Sequence, residues 1–160
     1  MKNVFIILLA TAIALTAYAC GGSSDSNDQQ RQSSSAQQSE PEFTEFELEH
    51  GIGPVKERIE LGPIIQAKVD QGRDIYEMKC EMCHSMDNRM VGPALRDVMD
   101  RRSPEFVMNM ILNPNEMAQK HPTGQEMLRE YMTVMPFQNV KEDEARAIVE
   151  FLRTKAPSAN

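Results

Sequence analysis

Residues 80–84 read CEMCH, two thiols three apart with an imidazole directly after the second. Three chemistries use such a group. A zinc site takes four ligands, usually from two paired clusters. This chain has no second cysteine pair, and His50 and His121 stand alone. A thioredoxin-like dithiol belongs in a βαβ setting, and no stretch here alternates as a strand. The third is C-x-x-C-H attachment of haem, in which Cys80 and Cys83 form two thioethers and His84 presents its ring to the iron. We read CEMCH this way, with zinc and a redox pair as the alternatives. One motif implies one haem c.

The group opposite His84 decides what the iron does. A Met thioether stabilises ferrous iron and suits electron transfer, whereas an open position suits gas or peroxide chemistry. The chain has 12 Met, so most must be packing residues, soft fillers around a flat group. Met135 is the best placed, because Pro136 fixes the chain behind it and stops a helix running through. Met132 is the nearest rival and Met127 lies further off. Met78, Met82, Met86 and Met90 recur every four residues and raise the thought of a Cu(I) stripe. A helix through CEMCH should end near His84, so the four need not share a face, and packing is the plainer reading.

The elements that position these residues read as helices. IIQAKVDQGRDIYEMKC runs into CEMCH. Ser103 caps a helix with Pro104 in its first turn, and Asn113-Pro114 ends it. A short helix over 114–120 takes Asn113 as its cap, and another covers 124–132. The last runs from about Glu142 to Thr154, burying Ala145, Ile148, Val149 and Leu152 at i, i+3, i+4, i+7, with Phe151 adjoining. Its cap is weak, because Lys141 stands where Ser, Thr or Asp would be expected. The expected fold is all-α.

Four pieces together resemble the class I cytochrome c family over residues 65–157. Gly72 and Tyr76 precede the haem motif at the spacing that family uses to pack its first helix on its last. CEMCH follows, then Val91-Gly92-Pro93-Ala94-Leu95, then Met135-Pro136-Phe137 before the final helix. The resemblance implies that His84 is the proximal ligand and that the Pro93 carbonyl accepts from His84 Nδ1. It implies Met135 as the distal ligand, 51 residues after His84. Arg101 and Arg102 are candidate partners for haem propionates or simply a solvated helix start, and Arg96 is a weaker candidate. Tyr76 reads as core, and His50 as an exposed loop residue. The polar stretch NPNEMAQKHPTGQEMLREY, longer than the family pattern asks, is placed to shape access to the haem edge.

The rest of the chain concerns address. The 160 residues carry Lys+Arg 17 against Asp+Glu 24, a formal charge of −7, which argues against a nucleic-acid binder. Residues 1–19 have a lysine, an apolar run and small residues, the pattern of an export signal. Ala17-Tyr18-Ala19-Cys20 resembles a bacterial lipobox, although the usual Leu is replaced by Ala17, so Cys20 is the expected lipidation site. Residues 20–39 then form a polar linker. Residues 40–64 form an acidic extension, expected to be irregular, with seven Glu against Lys56 and Arg58 and breaks at Gly53-Pro54 and Gly62-Pro63. Residues 158–160 are a tail.

These readings describe a periplasmic, membrane-anchored electron carrier and not an enzyme. The expected donor is a quinol-oxidising complex and the acceptor a terminal oxidase or a periplasmic reductase. GIGPVKE followed by LGPI resembles cytochromes that accompany bacterial nitrous oxide reductases. The rivals are a haem enzyme or sensor with an open sixth position, and a fixed subunit of a respiratory complex.

Overall fold

In the helix over Gln66–Lys79, Gly72 lies so close to the last helix that a Cβ there would meet the Ala147 carbonyl oxygen at 2.0 Å. This approach organises a computed structural model that describes residues 43–157. The expectations for the signal, Cys20, the linker and the tail fall outside those residues. The described residues form seven helices and no strand. These are α1 (Glu45–His50), α2 (Gln66–Lys79), α3 (Val98–Arg101), α4 (Pro104–Leu112), α5 (Pro114–Lys120), α6 (Pro122–Tyr131) and α7 (Glu142–Arg153).

The α2–α7 pairing is the most extensive in the fold. The Tyr76 and Phe151 rings sit 5.4 Å apart across it. The predicted face of α7, Ala145, Ile148, Val149 and Leu152, is buried, and Val107 and Ile111 of α4 complete the same core. Burying such a stripe is the main source of a helix's stability in a folded protein, since short helices are marginal alone. Lys141 has no acceptor to offer, and the start of α7 is held from the other side: the Lys141 N–H donates to Glu144 Oε2 at 2.8 Å. Ser103 Oγ caps α4 by accepting from the Phe106 N–H, as its sequence position predicts.

The extension corrects two expectations. Residues 45–50 are a helix, closed at its start by a reciprocal pair in which Thr44 Oγ1 accepts from the Glu47 N–H and Glu47 Oε2 accepts from the Thr44 N–H. His50 is buried, 1 % exposed, with Nδ1 2.7 Å from Oγ of Ser103, the residue that caps α4. Its burial follows from the Gly51 turn (φ 79°), which ends α1 and folds the chain back onto α4.

Asn109 of α4 then receives the returning chain. Its Nδ2 lies 3.0–3.2 Å from the carbonyls of His50, Gly51 and Val55, and its Oδ1 accepts from the Val55 N–H at 3.0 Å. Gly53 is required there, because a Cβ would lie 2.3 Å from Asn109 Oδ1. Glu105, also buried, accepts from the Ile59 N–H at 2.6 Å. Burial alone would push its carboxyl up, but the bonds from Ile59 and Ser103 and the nearby His50 outweigh it and hold it below the usual range.

Two caps also differ from expectation. Asn113 makes no side-chain cap; its Nδ2 donates to Ile52 O and Glu116 Oε2 instead. α6 begins two residues earlier than predicted, at Pro122, with His121 Nδ1 accepting from the Thr123 N–H. That bond leaves the proton on His121 Nε2, which donates to the Glu47 carbonyl at 3.0 Å.

Candidate functional site

α2 delivers Cys80 at its C-terminal end, where the Cys80 N–H donates to the Tyr76 carbonyl at 2.8 Å. The chain then turns tightly, with the Cys83 and His84 N–H groups both donating to the Cys80 carbonyl at 3.0 and 2.9 Å. This turn places two thiols and the imidazole on one wall. The Tyr76 hydroxyl donates to the His84 carbonyl at 2.6 Å, so the residue that packs α2 on α7 also fixes the ligand segment.

His84 is oriented by the next strip of chain. Its Nδ1–H donates to the Pro93 carbonyl at 3.0 Å. A carbonyl can only accept, so the proton is on Nδ1 and the Nε2 lone pair is left for a metal. Gly92 lies against the ring: a Cβ there would come within 2.3 Å of His84 Cε1. The Gly92 N–H donates to the Cys83 carbonyl at 2.9 Å, tying the strip back to the motif.

These residues open onto a cavity of about 510 Å³. Cys80, Cys83, His84 and Pro93 line one side. α4 contributes Phe106, Val107, Met110 and Ile111; α6 contributes Met127, Leu128 and Tyr131; α7 contributes Ile148 and Leu152. Val134, Met135 and Pro136 enter from the loop before α7. Protein interiors are close-packed, with few voids larger than a water molecule, so a mostly apolar space of this size, in reach of two thiols and an imidazole lone pair, is the shape of a cofactor site. Haem c fits the donor set.

The alternatives lose their residues. His50 in the extension and His121 beneath it are both buried, engaged by Ser103 and the Glu47 carbonyl, so neither can complete a zinc site with the cysteines. Among the described residues no group of His, Cys, Asp and Glu is set to hold a metal ion. Burial pushes the Cys80 thiol up to about 11, the direction opposite to that of a reactive dithiol cysteine. The methionine stripe dissolves because α2 stops at Lys79; Met78, Met82 and Met90 are exposed while Met86 packs on the core.

Met135 lines the cavity and packs against the core, whereas Met132 is 84 % exposed and lies outside the lining. Met127 lines the cavity as well, from α6. Arg101 and Arg102 both line it. Arg101 also donates to the Ala94 carbonyl and to Asp97, and the Arg102 guanidinium lies 4.9 Å from the Phe106 ring centroid. Arg96 forks onto Asp87 and is not part of the lining.

The sequence reading placed Met127 only as a remote rival ligand and missed Leu128 and Tyr131, which share the cavity-lining face of α6 with it. The i, i+1, i+4 spacing of those three was the available signal.

The cytochrome c family model matches residues 69–156. The chain belongs to the cytochrome c family. Cytochrome c from Rhodothermus marinus is similar in structure, with a TM-score of 0.66 and 44% identity, over 70% of this chain and 97% of that one. That share exceeds residues 65–157, so the likeness reaches into the extension. An engineered R. marinus cytochrome c matches at 44% identity and TM-score 0.65, over 69% of this chain and 96% of that one. A form of it described as bound to a carbene intermediate matches at 45% and 0.62, over 69% and 96%. No curated relative matches the chain.

The fold is that of a class I mono-haem cytochrome c, and the cofactor is covalently attached haem c. Cytochromes of this family are generally electron carriers and are typically exported.

Proposed function

We propose that this cytochrome is a membrane-tethered one-electron carrier of a bacterial respiratory chain, with thioethers at Cys80 and Cys83 and axial ligation by His84 and Met135. The observation that carries the reading is that the His84 ring, its Nδ1 held by Pro93, and Met135 line one apolar cavity. Bound haem supplies the one-electron couple. The chain's own residues hold the imidazole in one tautomer, surround the site with apolar side chains that exclude water, and offer a soft thioether that favours the reduced state. Arg101 and Arg102, lining the same cavity, are the side chains we assign to the propionates.

Cys20 is the proposed lipid anchor and residues 21–39 the tether. Among the described residues no helix is long and apolar enough to cross a membrane. A tether raises the effective concentration of the domain at the membrane, where a quinol-oxidising complex is the proposed donor. A terminal oxidase or a periplasmic reductase, such as a nitrous oxide reductase, is the proposed acceptor. Docking is through a small and transient interface. No substrate is transformed, so the reading is of a carrier and not an enzyme.

Carbon monoxide provides the test. The reduced protein is expected to keep its visible spectrum under carbon monoxide and to titrate as a single one-electron couple. A prompt spectral change under the gas would mean an open sixth position and would favour a gas-binding or peroxide-reacting haem protein.

A further inference from the structure

The loop that carries Met135 has little backbone support. It begins at Met132 (φ 55°), the left-handed residue that ends α6, and Asn139 near its far end is also left-handed (φ 49°). Left-handed backbone is costly for a residue other than glycine, less so for asparagine. Among the described residues, no N–H group from 133 to 140 donates to a backbone carbonyl.

Side chains from the haem-attachment segment hold both ends of this loop. At its entry, Arg89 Nη1 donates to Glu130 Oε1 at 3.0 Å and Nη2 to the Glu130 carbonyl at 2.7 Å. The same guanidinium lies 4.2 Å from the Tyr131 ring centroid. The Glu130 carbonyl is among the last four of α6, which have no partner within the helix, and a cation there also suits the helix dipole. At the exit, Lys79 Nζ lies 3.5 Å from the Gln138 carbonyl and 3.3 Å from the Asn139 carbonyl. Lys79 is the residue before Cys80. Arg89 lies in the strip between His84 and Pro93, which the Gly92 and Met90 N–H groups tie down.

We infer that Arg89 and Lys79 are positioning residues that clamp the Met135 loop to the haem-attachment segment, and so set how readily the position opposite His84 opens to an added ligand. The inference rests on Met135 being the sixth ligand. An exposed ion pair alone contributes little; here one guanidinium combines an ion pair, a helix-end carbonyl and an aromatic face. Arg89 is therefore the stronger clamp, and Lys79, with longer contacts, the weaker.

The test titrates the oxidised full-length holoprotein with imidazole at a pH well above the ligand's own pKa, where it is neutral and its approach does not itself depend on Arg89's charge. Arg89→Gln is expected to bind imidazole about tenfold more tightly than wild type, equivalent to about 1.4 kcal/mol. Glu130→Gln and Lys79→Gln are expected to move about threefold in the same direction. Arg89→Lys, which keeps the charge but not the fork, falls between wild type and Arg89→Gln. Added salt screens the pair, so imidazole affinity should rise with salt in wild type and stay flat in Arg89→Gln. A merely structural role for Arg89 would lower the urea midpoint and leave imidazole affinity and its salt dependence as in wild type.

Imidazole affinities within about twofold of wild type in both Arg89→Gln and Glu130→Gln would overturn the inference. Failure of the Met135 reading looks different. The oxidised wild type would then lack the Met-to-iron charge-transfer band before any ligand is added, and the clamp would fall with it.

Discussion

Gly72→Val is expected to lower the stability of the holoprotein by more than about 4 kcal/mol, among the largest effects of any single change in this chain. A Cβ at this position would stand 2.0 Å from the Ala147 carbonyl oxygen and 2.5 Å from its carbon, and both are backbone atoms that cannot turn aside. Ordinary contact needs more than 1 Å of extra separation, so α2 and α7 must part. Parting them loosens the rest of the core, because Tyr76 and Phe151 meet across the same pairing. It also moves Cys80, which ends α2, and Tyr76, whose hydroxyl holds the His84 carbonyl. Urea unfolding read by the haem absorbance is the measurement. With a slope of about 2 kcal/mol/M, the midpoint should fall by about 2 M. A fall below about 0.5 M would mean that the helices tolerate a wider spacing.

Asn109→Ala is the second large effect, expected at about 3–5 kcal/mol. Asn109 is fully buried, and its amide faces three carbonyls while its oxygen takes the Val55 N–H. Alanine leaves these backbone groups without partners in a dry place, which costs more than the net value of the bonds themselves. The consequence should be local first. The chain from Thr44 to Val55 should lose hydrogen-exchange protection and become open to proteolysis, while α2 and α7 keep theirs. Because Asn109 sits among Phe106, Val107, Met110 and Ile111 on α4, the extension also braces one wall of the haem cavity. Unchanged protection over residues 44–55 would mean that the extension is held by its apolar contacts, Ile52, Phe106 and Met117 among them.

These two residues mark what the sequence could and could not reveal. Gly72 was legible as a spacing, that of a glycine four residues before a tyrosine, which the resemblance to the cytochrome c family ties to packing of the first helix on the last. CEMCH was legible for the same reason, since three reactive groups are local in sequence and their geometry follows from one turn. Asn109 gave no such signal. An asparagine within an apolar helix is commonly solvent-facing, and its partners lie 54 to 59 residues upstream, in a segment read as irregular. His50 was misread because its burial depends on Ser103, 53 residues away. The helix at Glu45–His50 carried a local signature, Thr44 with Glu47 three residues on, which the surrounding glutamates and Gly-Pro pairs masked. Arg89 went unnoticed because what it holds, the end of α6, is 41 residues distant.

Ligation of the iron by His84 and Met135 from opposite sides underlies the proposed carrier function. It is tested most directly by the long-wavelength charge-transfer band between a Met sulfur and ferric haem. The oxidised protein is expected to show the band, Met135→Ala to lose it, and Met132→Ala and Met127→Ala to keep it. Persistence of the band in Met135→Ala together with its loss in Met127→Ala would move the ligand to α6. Its absence from the wild type would contradict Met ligation altogether.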